Sequence, residues 1–251
     1  MKTLAIVPAF QEAGVIGEVV AELRAVRPDL DILVVDDCSP DATGARAREA
    51  GARVLRLPVN LGIGGAVQTG FKYAAAREYD AVVQVDGDGQ HDPAQLAAIL
   101  EPLAAGRGDM VIGSRFLERT GYRTPFARRA GMLLFSTVAR LAMGQPVADT
   151  TSGFRALGRP LFTYLAEYYP TDFPDAETLV LIKRAGFTIH EVSVSMRPRK
   201  SGRSSTTTLK SIYYPFKQML SILVILLRKP PPPPDPARSG NRPAVTEERA
   251  S

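Results

Sequence analysis

Residues 81–91 read Ala81-Val82-Val83-Gln84-Val85-Asp86-Gly87-Asp88-Gly89-Gln90-His91. The run Ala81–Val85 is short, apolar and rich in β-branched residues, as expected of a strand buried on both faces. It ends abruptly in acid. Glycines at 87 and 89 let the backbone turn tightly, so that Asp86 and Asp88 aim at one point. Two carboxylates this close repel one another unless a cation lies between them. With a divalent ion they form part of an octahedral oxygen site, to which Gln90 adds a neutral oxygen and diphosphate oxygens the rest. An Asp-x-Asp triplet alone also describes a solvated turn. What distinguishes this one is its place at the end of a buried strand.

The same grammar recurs on either side. Thr3–Val7, Asp31–Val35, Arg53–Leu57 and Met110–Ile112 read as strands. Between them Val15–Val26, Gly64–Glu78 and Pro93–Leu103 have helical spacing. Ser39-Pro40-Asp41 is expected to open a further helix, with Ser39 as its cap and Asp36 and Asp37 left free. This βαβα alternation predicts an α/β fold, a mostly parallel central sheet with helices on both faces. Such sheets bind ligands at the carboxyl ends of their strands. That rule gathers Pro8–Glu12, Asp36–Asp37, Asp86–Asp88 and Gly113–Arg115 along one rim. Further on, Phe126–Met143 reads as an amphipathic helix carrying Arg128, Arg129 and Arg140. Thr150–Leu157 reads as a turn and short strand, Leu179–Ala185 as a helix and Thr188–Met196 as extended chain, followed by a mobile loop over 197–208. Five consecutive prolines from Pro230 open a tail unable to bury a core. The expected organisation is one domain over 1–229, ending in a basic and apolar helix at about 209–229, and a disordered Pro-rich tail over 230–251.

Composition narrows the chemistry. The 251 residues are 45% apolar, enough for a sizeable core. A single cysteine, Cys38, excludes an intrachain disulfide and a cysteine-based zinc site. His91 and His190 are far apart, so a metal would be held mainly by oxygen, which favours Mg or Mn. The net charge of +5 is unevenly spread. Residues 119–148 carry five arginines, and residues 192–234 eight lysines or arginines, with no acid in either stretch. An otherwise acidic body with two basic segments suits a polyanion or a membrane surface. The N-terminal apolar run lacks a cleavage site and reads as a strand, not a signal peptide. Met219–Leu227 is nine residues long, far short of the ~20 that span a bilayer. Flanked by Lys210, Lys217, Arg228 and Lys229, it suits a helix lying in the interface or docked on a small membrane protein. A core-packing helix is the other reading. The expected location is cytoplasmic, peripheral on the inner face of the membrane.

Asn60-Leu61-Gly62-Ile63-Gly64-Gly65-Ala66 superficially suggests a dinucleotide fingerprint, but it follows the third strand instead of the first, which rejects NAD. No Walker A sequence is present. Arg115, at a strand end, and Arg128 and Arg129 have the guanidinium forks that suit phosphate, whereas Arg155 is expected to pair with Asp149. The run Arg197-Pro198-Arg199-Lys200-Ser201-Gly202-Arg203 suits a loop closing over phosphates. It lacks the interleaved aromatics of a nucleic-acid surface, so no nucleic-acid partner is expected.

Taken together, six segments resemble glycosyltransferase family 2, and within it the dolichyl- and polyprenyl-phosphate sugar transferases. They are Pro8-Ala9-Phe10-Gln11-Glu12, Asp36-Asp37-x-Ser39-Pro40-Asp41-x-Thr43, Asn60-Leu61-Gly62-x-Gly64, Asp86-x-Asp88-x-Gln90-His91, Gly113-Ser114-Arg115-Phe116 and Asp149-x-x-Ser152-Gly153-Phe154-Arg155. Phe10 stands where the family has Tyr, Gln11 where it has Asn and Gly87 where Ala is common. The resemblance implies a GT-A fold and inverting transfer from a GDP- or UDP-linked sugar. By that resemblance Pro8, Phe10, Glu12, Val35 and Asp37 line the nucleotide site. Val85, Asp86, Gly87 and Asp88 lie along the donor, with Asp88 and Gln90 as metal ligands for Mg or Mn. Arg115, Arg128 and Arg129 hold an acceptor phosphate, Lys200 and Arg203 lie over the donor diphosphate, and Asp86, Asp88 and Arg115 carry catalysis. A polyprenyl phosphate acceptor is already anionic and needs no strong general base. A sugar-hydroxyl acceptor would need one, for which Asp175 or Glu177 stands in place. A non-catalytic nucleotide-sugar-binding subunit is the remaining alternative.

Overall fold

In a computed structural model, residues 1–117, 147–170, 176–197, 227 and 231–232 are described. Seven strands form one sheet: β1 (Thr3–Ala9), β2 (Asp31–Asp36), β3 (Arg53–Arg56), β4 (Ala81–Gln84), β5 (Met110–Ser114), β6 (Arg155–Gly158) and β7 (Ile189–Ser193). Their order is β3-β2-β1-β4-β6-β5-β7. Every pairing is parallel except those of β6, which runs antiparallel to both β4 and β5. The helices are α1 (Ile16–Val26), α2 (Thr43–Glu49), α3 (Gly62–Ala76), α4 (Leu96–Ala104), α5 (Arg159–Tyr168) and α6 (Ala176–Arg184), with a 3-10 turn at Pro93–Gln95 before α4.

The alternation of side chains along each strand divides the core in two. Leu4 and Ile6 of β1 join Leu33, Val35, Val82, Met110 and Ile112 in a layer closed by α3, α5 and α6. Ala5 and Val7 join Ile32, Val34, Val83 and Val111 in the layer closed by α1 and α4. All seven residues of β1 are buried, which is why it reads as an unbroken apolar run. Helix α3 lies so close to β1 that a Cβ on Gly70 would fall 2.4 Å from Cγ2 of Ile6. A side chain there would force helix and strand apart.

One expectation changes, and two elements go beyond what the local pattern specifies. The helix after β2 begins at Thr43 and has no side-chain cap; Ser39 instead sits in the preceding loop and accepts a hydrogen bond from the Gln11 amide (3.1 Å). Strand β6 enters the sheet at the rim, where Arg155 pairs opposite Gln84 and Ile112, and so runs against its neighbours. Local patterning does not forecast α5, in which β-favouring Phe162, Thr163 and Tyr164 are neighbours. It forms because Leu161, Phe162, Tyr164 and Leu165 find burial in the α3 layer. The expected helix at Phe126–Met143, the loop beyond Arg197, most of the 209–229 segment and most of the tail lie outside the described residues.

Candidate active site

Six strands point their carboxyl ends, and β6 its amino end, toward one rim. The Asp86–Gln90 loop leaves β4 there. The Asp86 amide donates to Nδ1 of His91 at 2.9 Å. Since Nδ1 accepts, the neutral ring carries its proton on Nε2, which lies 3.5 Å from Asp86 Oδ2. His91 is buried and stacks on Phe154, ring centroids 4.9 Å apart. Asp88 Oδ1 accepts the Gln90 amide at 3.0 Å, closing the turn. The Asp86 side chain remains 36% exposed, whereas Asp88 is 6% exposed. Gly153 backs the Asp86 carboxylate so closely that a Cβ there would stand 2.7 and 2.8 Å from its two oxygens. Two motifs 67 residues apart in sequence thus meet at one carboxylate.

Asp36 and Asp37 are not free. Asp36 is fully buried, accepts the Ser39 amide at 2.9 Å, and has Arg56 Nη1 3.9 Å away. Asp37, 3% exposed, accepts the amides of Leu61 (2.7 Å) and Gly62 (2.8 Å). Those are the otherwise orphaned donors at the start of α3, so this carboxylate caps a helix from another strand's end. Asn60 Nδ2 donates to the Asp37 carbonyl at 3.3 Å. The neighbouring turns are interlocked as well: the Glu12 amide donates to Thr43 Oγ1 at 2.9 Å. Gln11 and Cys38, at φ 58° and 60°, occupy the left-handed region that non-glycine residues seldom adopt.

The other residues expected around a nucleotide divide by burial. Phe10 is 43% exposed on the rim. Pro8, Val35, Val85 and Gly87 are buried, and the Val35 and Val85 side chains belong to the two core layers, leaving only their backbones to face a ligand. Glu12 and Gln90 are partly exposed.

On the far side of the rim, Arg115 meets Asp149. Its Nε and Nη2 donate to the two carboxylate oxygens at 2.7 Å each, its amide donates at 3.1 Å, and Nη2 also donates to Thr151 Oγ1 at 2.6 Å. This corrects the expected pairing of Arg155 with Asp149. Arg155 is buried and donates to the carbonyls of Ser152 (2.7 Å) and Thr150 (3.1 Å). Burial alone would raise the Asp149 carboxyl, but the hydrogen bonds from the Arg115 side chain and amide, the Arg115 charge and Thr151 outweigh it and hold it below the ordinary carboxylate range. Much of the Arg115 fork is therefore engaged inside the protein, and a phosphate would have to compete with a bidentate ion pair. The pairing with Arg115 follows from β5 and β6 being neighbours in the sheet.

Arg197 also departs from expectation. Its guanidinium is held by Glu22 and by Asp92, the latter at 2.7 Å. Lys200, Arg203, Arg128, Arg129 and Asp175 lie outside the described residues, and Glu177 is buried in the first turn of α6.

Among the described residues no three His, Cys, Asp or Glu side chains converge on a common point. The Asp86–Gln90 loop nevertheless fits a hard cation in kind, since its side-chain donors are oxygens, one of them on a partly exposed carboxylate. A cation there would take its remaining ligands from diphosphate or water. A hollow of about 350 Å3 lies elsewhere, lined by Met1, Asp80, Asp109, Arg159 and Thr188 among others. Its acids are matched internally, Asp80 by the Lys2 amide and Arg159, Asp109 by Thr188, and no rim motif reaches it.

Comparison with known proteins decides the family. The model for glycosyl transferase family 2 matches residues 4–165, which contain every rim motif described above. The chain belongs to glycosyl transferase family 2. It is 31% identical over 213 residues to the polyprenol monophosphomannose synthase of Mycolicibacterium smegmatis, covering 81% of this chain and 80% of that protein. It is 36% identical over 162 residues to the undecaprenyl-phosphate mannosyltransferase of Micrococcus luteus, covering 62% of this chain and 66% of that protein. A crystal structure of glucosyl-3-phosphoglycerate synthase from Mycobacterium tuberculosis, in complex with Mn2+, UDP and phosphoglyceric acid, superposes with a TM-score of 0.68 at 23% identity, covering 90% of this chain and 78% of that one. The fold of this family 2 chain is GT-A.

Proposed function

We propose that the chain transfers a sugar, with inversion, from a nucleoside-diphosphate sugar to a polyprenyl phosphate at the inner face of the membrane. The observation that carries this reading is the partly exposed Asp86 carboxylate, held beside Asp88 at the strand-end rim of a chain similar along most of its length to a polyprenol monophosphomannose synthase. Asp88 and the Gln90 amide oxygen would hold Mg or Mn, which when bound supplies positive charge against the donor diphosphate. A phosphate oxygen of the acceptor forms the new bond to the anomeric carbon while the bond from that carbon to the diphosphate breaks, the nucleoside diphosphate leaving with the electron pair. The acceptor is anionic at neutral pH, so the protein need not remove a proton. Its contribution is alignment and charge.

Pro8, Phe10, Glu12, Val35 and Asp37 form the nucleotide end of the site, Val35 through its backbone and Asp37 through the α3 start that it holds. Val85, Asp86, Gly87 and Asp88 run along the donor. Lys200 and Arg203 cover the diphosphate. Arg128 and Arg129, with Arg115, face the acceptor phosphate, and Arg115 does so from its seat on Asp149. No helix among the described residues is long and apolar enough to cross a membrane. In this reading the basic and apolar segment at about 209–229 makes the membrane contact, with a small membrane protein as its partner.

The test is a transfer assay. Purified protein meets labelled GDP-mannose, UDP-glucose, UDP-galactose or UDP-N-acetylglucosamine with polyprenyl phosphate and Mg or Mn. The expected result is label entering the organic phase with one donor, lost with EDTA. Donor hydrolysis without a lipid product would overturn the acceptor assignment and turn attention to a sugar hydroxyl.

A further inference from the structure

His91 is a buried ring set between the Asp86–Gln90 loop and Phe154, the residue just before β6, with ring centroids 4.9 Å and planes 29° apart. Its backbone is held as well. His91 forms an antiparallel bridge with Met196, and the Gln90 carbonyl accepts the Arg197 amide at 2.9 Å. Stacking and burial account for a ring at this position but not for an imidazole. A phenyl ring would stack on Phe154 equally well and would bring no polar atoms into a place that is 4% exposed. What the imidazole adds is two nitrogens, and both face Asp86. Nδ1 accepts the Asp86 amide at 2.9 Å, and Nε2 stands 3.5 Å from Asp86 Oδ2.

We propose that His91 is a positioning residue: one ring holds Asp86 by both its backbone and its carboxylate, and so fixes the direction in which that carboxylate faces the donor; this rests on the donor-site reading above. The two contacts are linked. Because Nδ1 is used as an acceptor, the ring proton is on Nε2, so the main-chain bond selects the tautomer that points a donor at Oδ2. A carboxylate that is 36% exposed has several staggered rotamers open to it. Here Gly153 closes one side, so tightly that a Cβ there would lie 2.7 Å from Oδ1, and the Nε2 proton attracts Oδ2 on another. A group fixed in this way meets the reacting atoms without reorganising, which is where rate is gained.

Two amide side chains separate the two contacts. Asparagine places its carbonyl oxygen about where Nδ1 lies, so His91→Asn keeps an acceptor for the Asp86 amide but no donor for the carboxylate. Glutamine reaches about as far as Nε2, so His91→Gln keeps the donor and gives up the acceptor. Transfer kinetics and melting temperature are measured for both variants, and the ring-nitrogen resonances are recorded for wild type. The chain has only two histidines, so a His190→Asn variant assigns the His91 ring by elimination. The expected result is a crossing. His91→Asn is the more stable of the two and loses about tenfold or more in kcat with donor KM within about threefold, whereas His91→Gln is the less stable and stays within about threefold of wild-type kcat. The wild-type His91 ring should carry its proton on Nε2. A proton on Nδ1 would overturn the proposal, as would wild-type kcat in His91→Asn. A His91→Gln no more active than His91→Asn, or activity that follows stability in the pair, would overturn it in favour of packing alone. If wild type transfers no sugar to polyprenyl phosphate, the functional reading falls by itself; the ring spectrum and the same two variants, read on donor hydrolysis, still decide the role of His91.

Discussion

Two acid pairs leave parallel strands at the same rim, Asp36-Asp37 from β2 and Asp86-x-Asp88 from β4. In sequence they look alike, each a buried run ending in carboxylates. In the fold they are held differently. Asp36 and Asp37 are inside the protein, accepting the amides of Ser39, Leu61 and Gly62. Asp86 keeps more than a third of its side chain exposed, with its own amide secured by His91 and its back against Gly153. The start of α3 claims Asp37, whereas no helix start claims Asp86 among the described residues. The β2 pair builds the rim; of the β4 pair, Asp86 is presented on it, while Asp88 is buried and closes the loop through the Gln90 amide.

This contrast can be broken or sharpened by substitution. The largest effect is expected from Asp88→Ala. Turnover should fall roughly 10²–10³-fold, the size seen when one electrostatic group is removed from a reacting centre, with the melting temperature within about 3 °C of wild type. Asp37→Ala should do the reverse in kind. It strands two amides at the start of α3 and should cost roughly 2–4 kcal/mol in denaturant unfolding, any loss of activity following from that. Gly153→Ala comes next. Its methyl must displace the Asp86 carboxylate, so a fall in turnover of about tenfold is expected with little change in unfolding. The smallest effect concerns Asp149. Its folded pKa lies below that of an unfolded aspartate, about 3.9. The stability it contributes is present above that value and is lost as pH falls through the folded pKa. The stability advantage of wild type over Asp149→Asn should therefore be level from about pH 5 to 7 and shrink below about pH 4, read by unfolding at each pH.

Much of this rim is legible in the sequence, because β2, β4 and β5 are buried, largely apolar runs that stop at Asp36, Gln84 and Ser114. The expected bounds of β1 to β5 lie within one or two residues of the observed ones. The partners were not legible. Asp37 finds Leu61 and Gly62 24 and 25 residues on, and Arg115 finds Asp149 34 residues on. These meetings depend on sheet order, which local pattern does not encode. β6 is the clearest case. Four residues cannot declare their direction, yet their antiparallel entry is what brings Gly153 to Asp86 and Asp149 to Arg115. Arg197 looked like one more phosphate-directed cation because its two carboxylates lie 175 and 105 residues away.

The most direct test of the contrast is Mn2+ binding in the presence of GDP or UDP, followed by the electron paramagnetic resonance of the bound ion, in folded Asp37→Asn and Asp88→Asn side by side. The account predicts that Asp88→Asn loses the bound-ion signal at concentrations that saturate wild type, while Asp37→Asn keeps it wherever the protein remains folded. A folded Asp37→Asn that loses the ion, or an Asp88→Asn that binds it as wild type does, would contradict the division of roles between the two pairs.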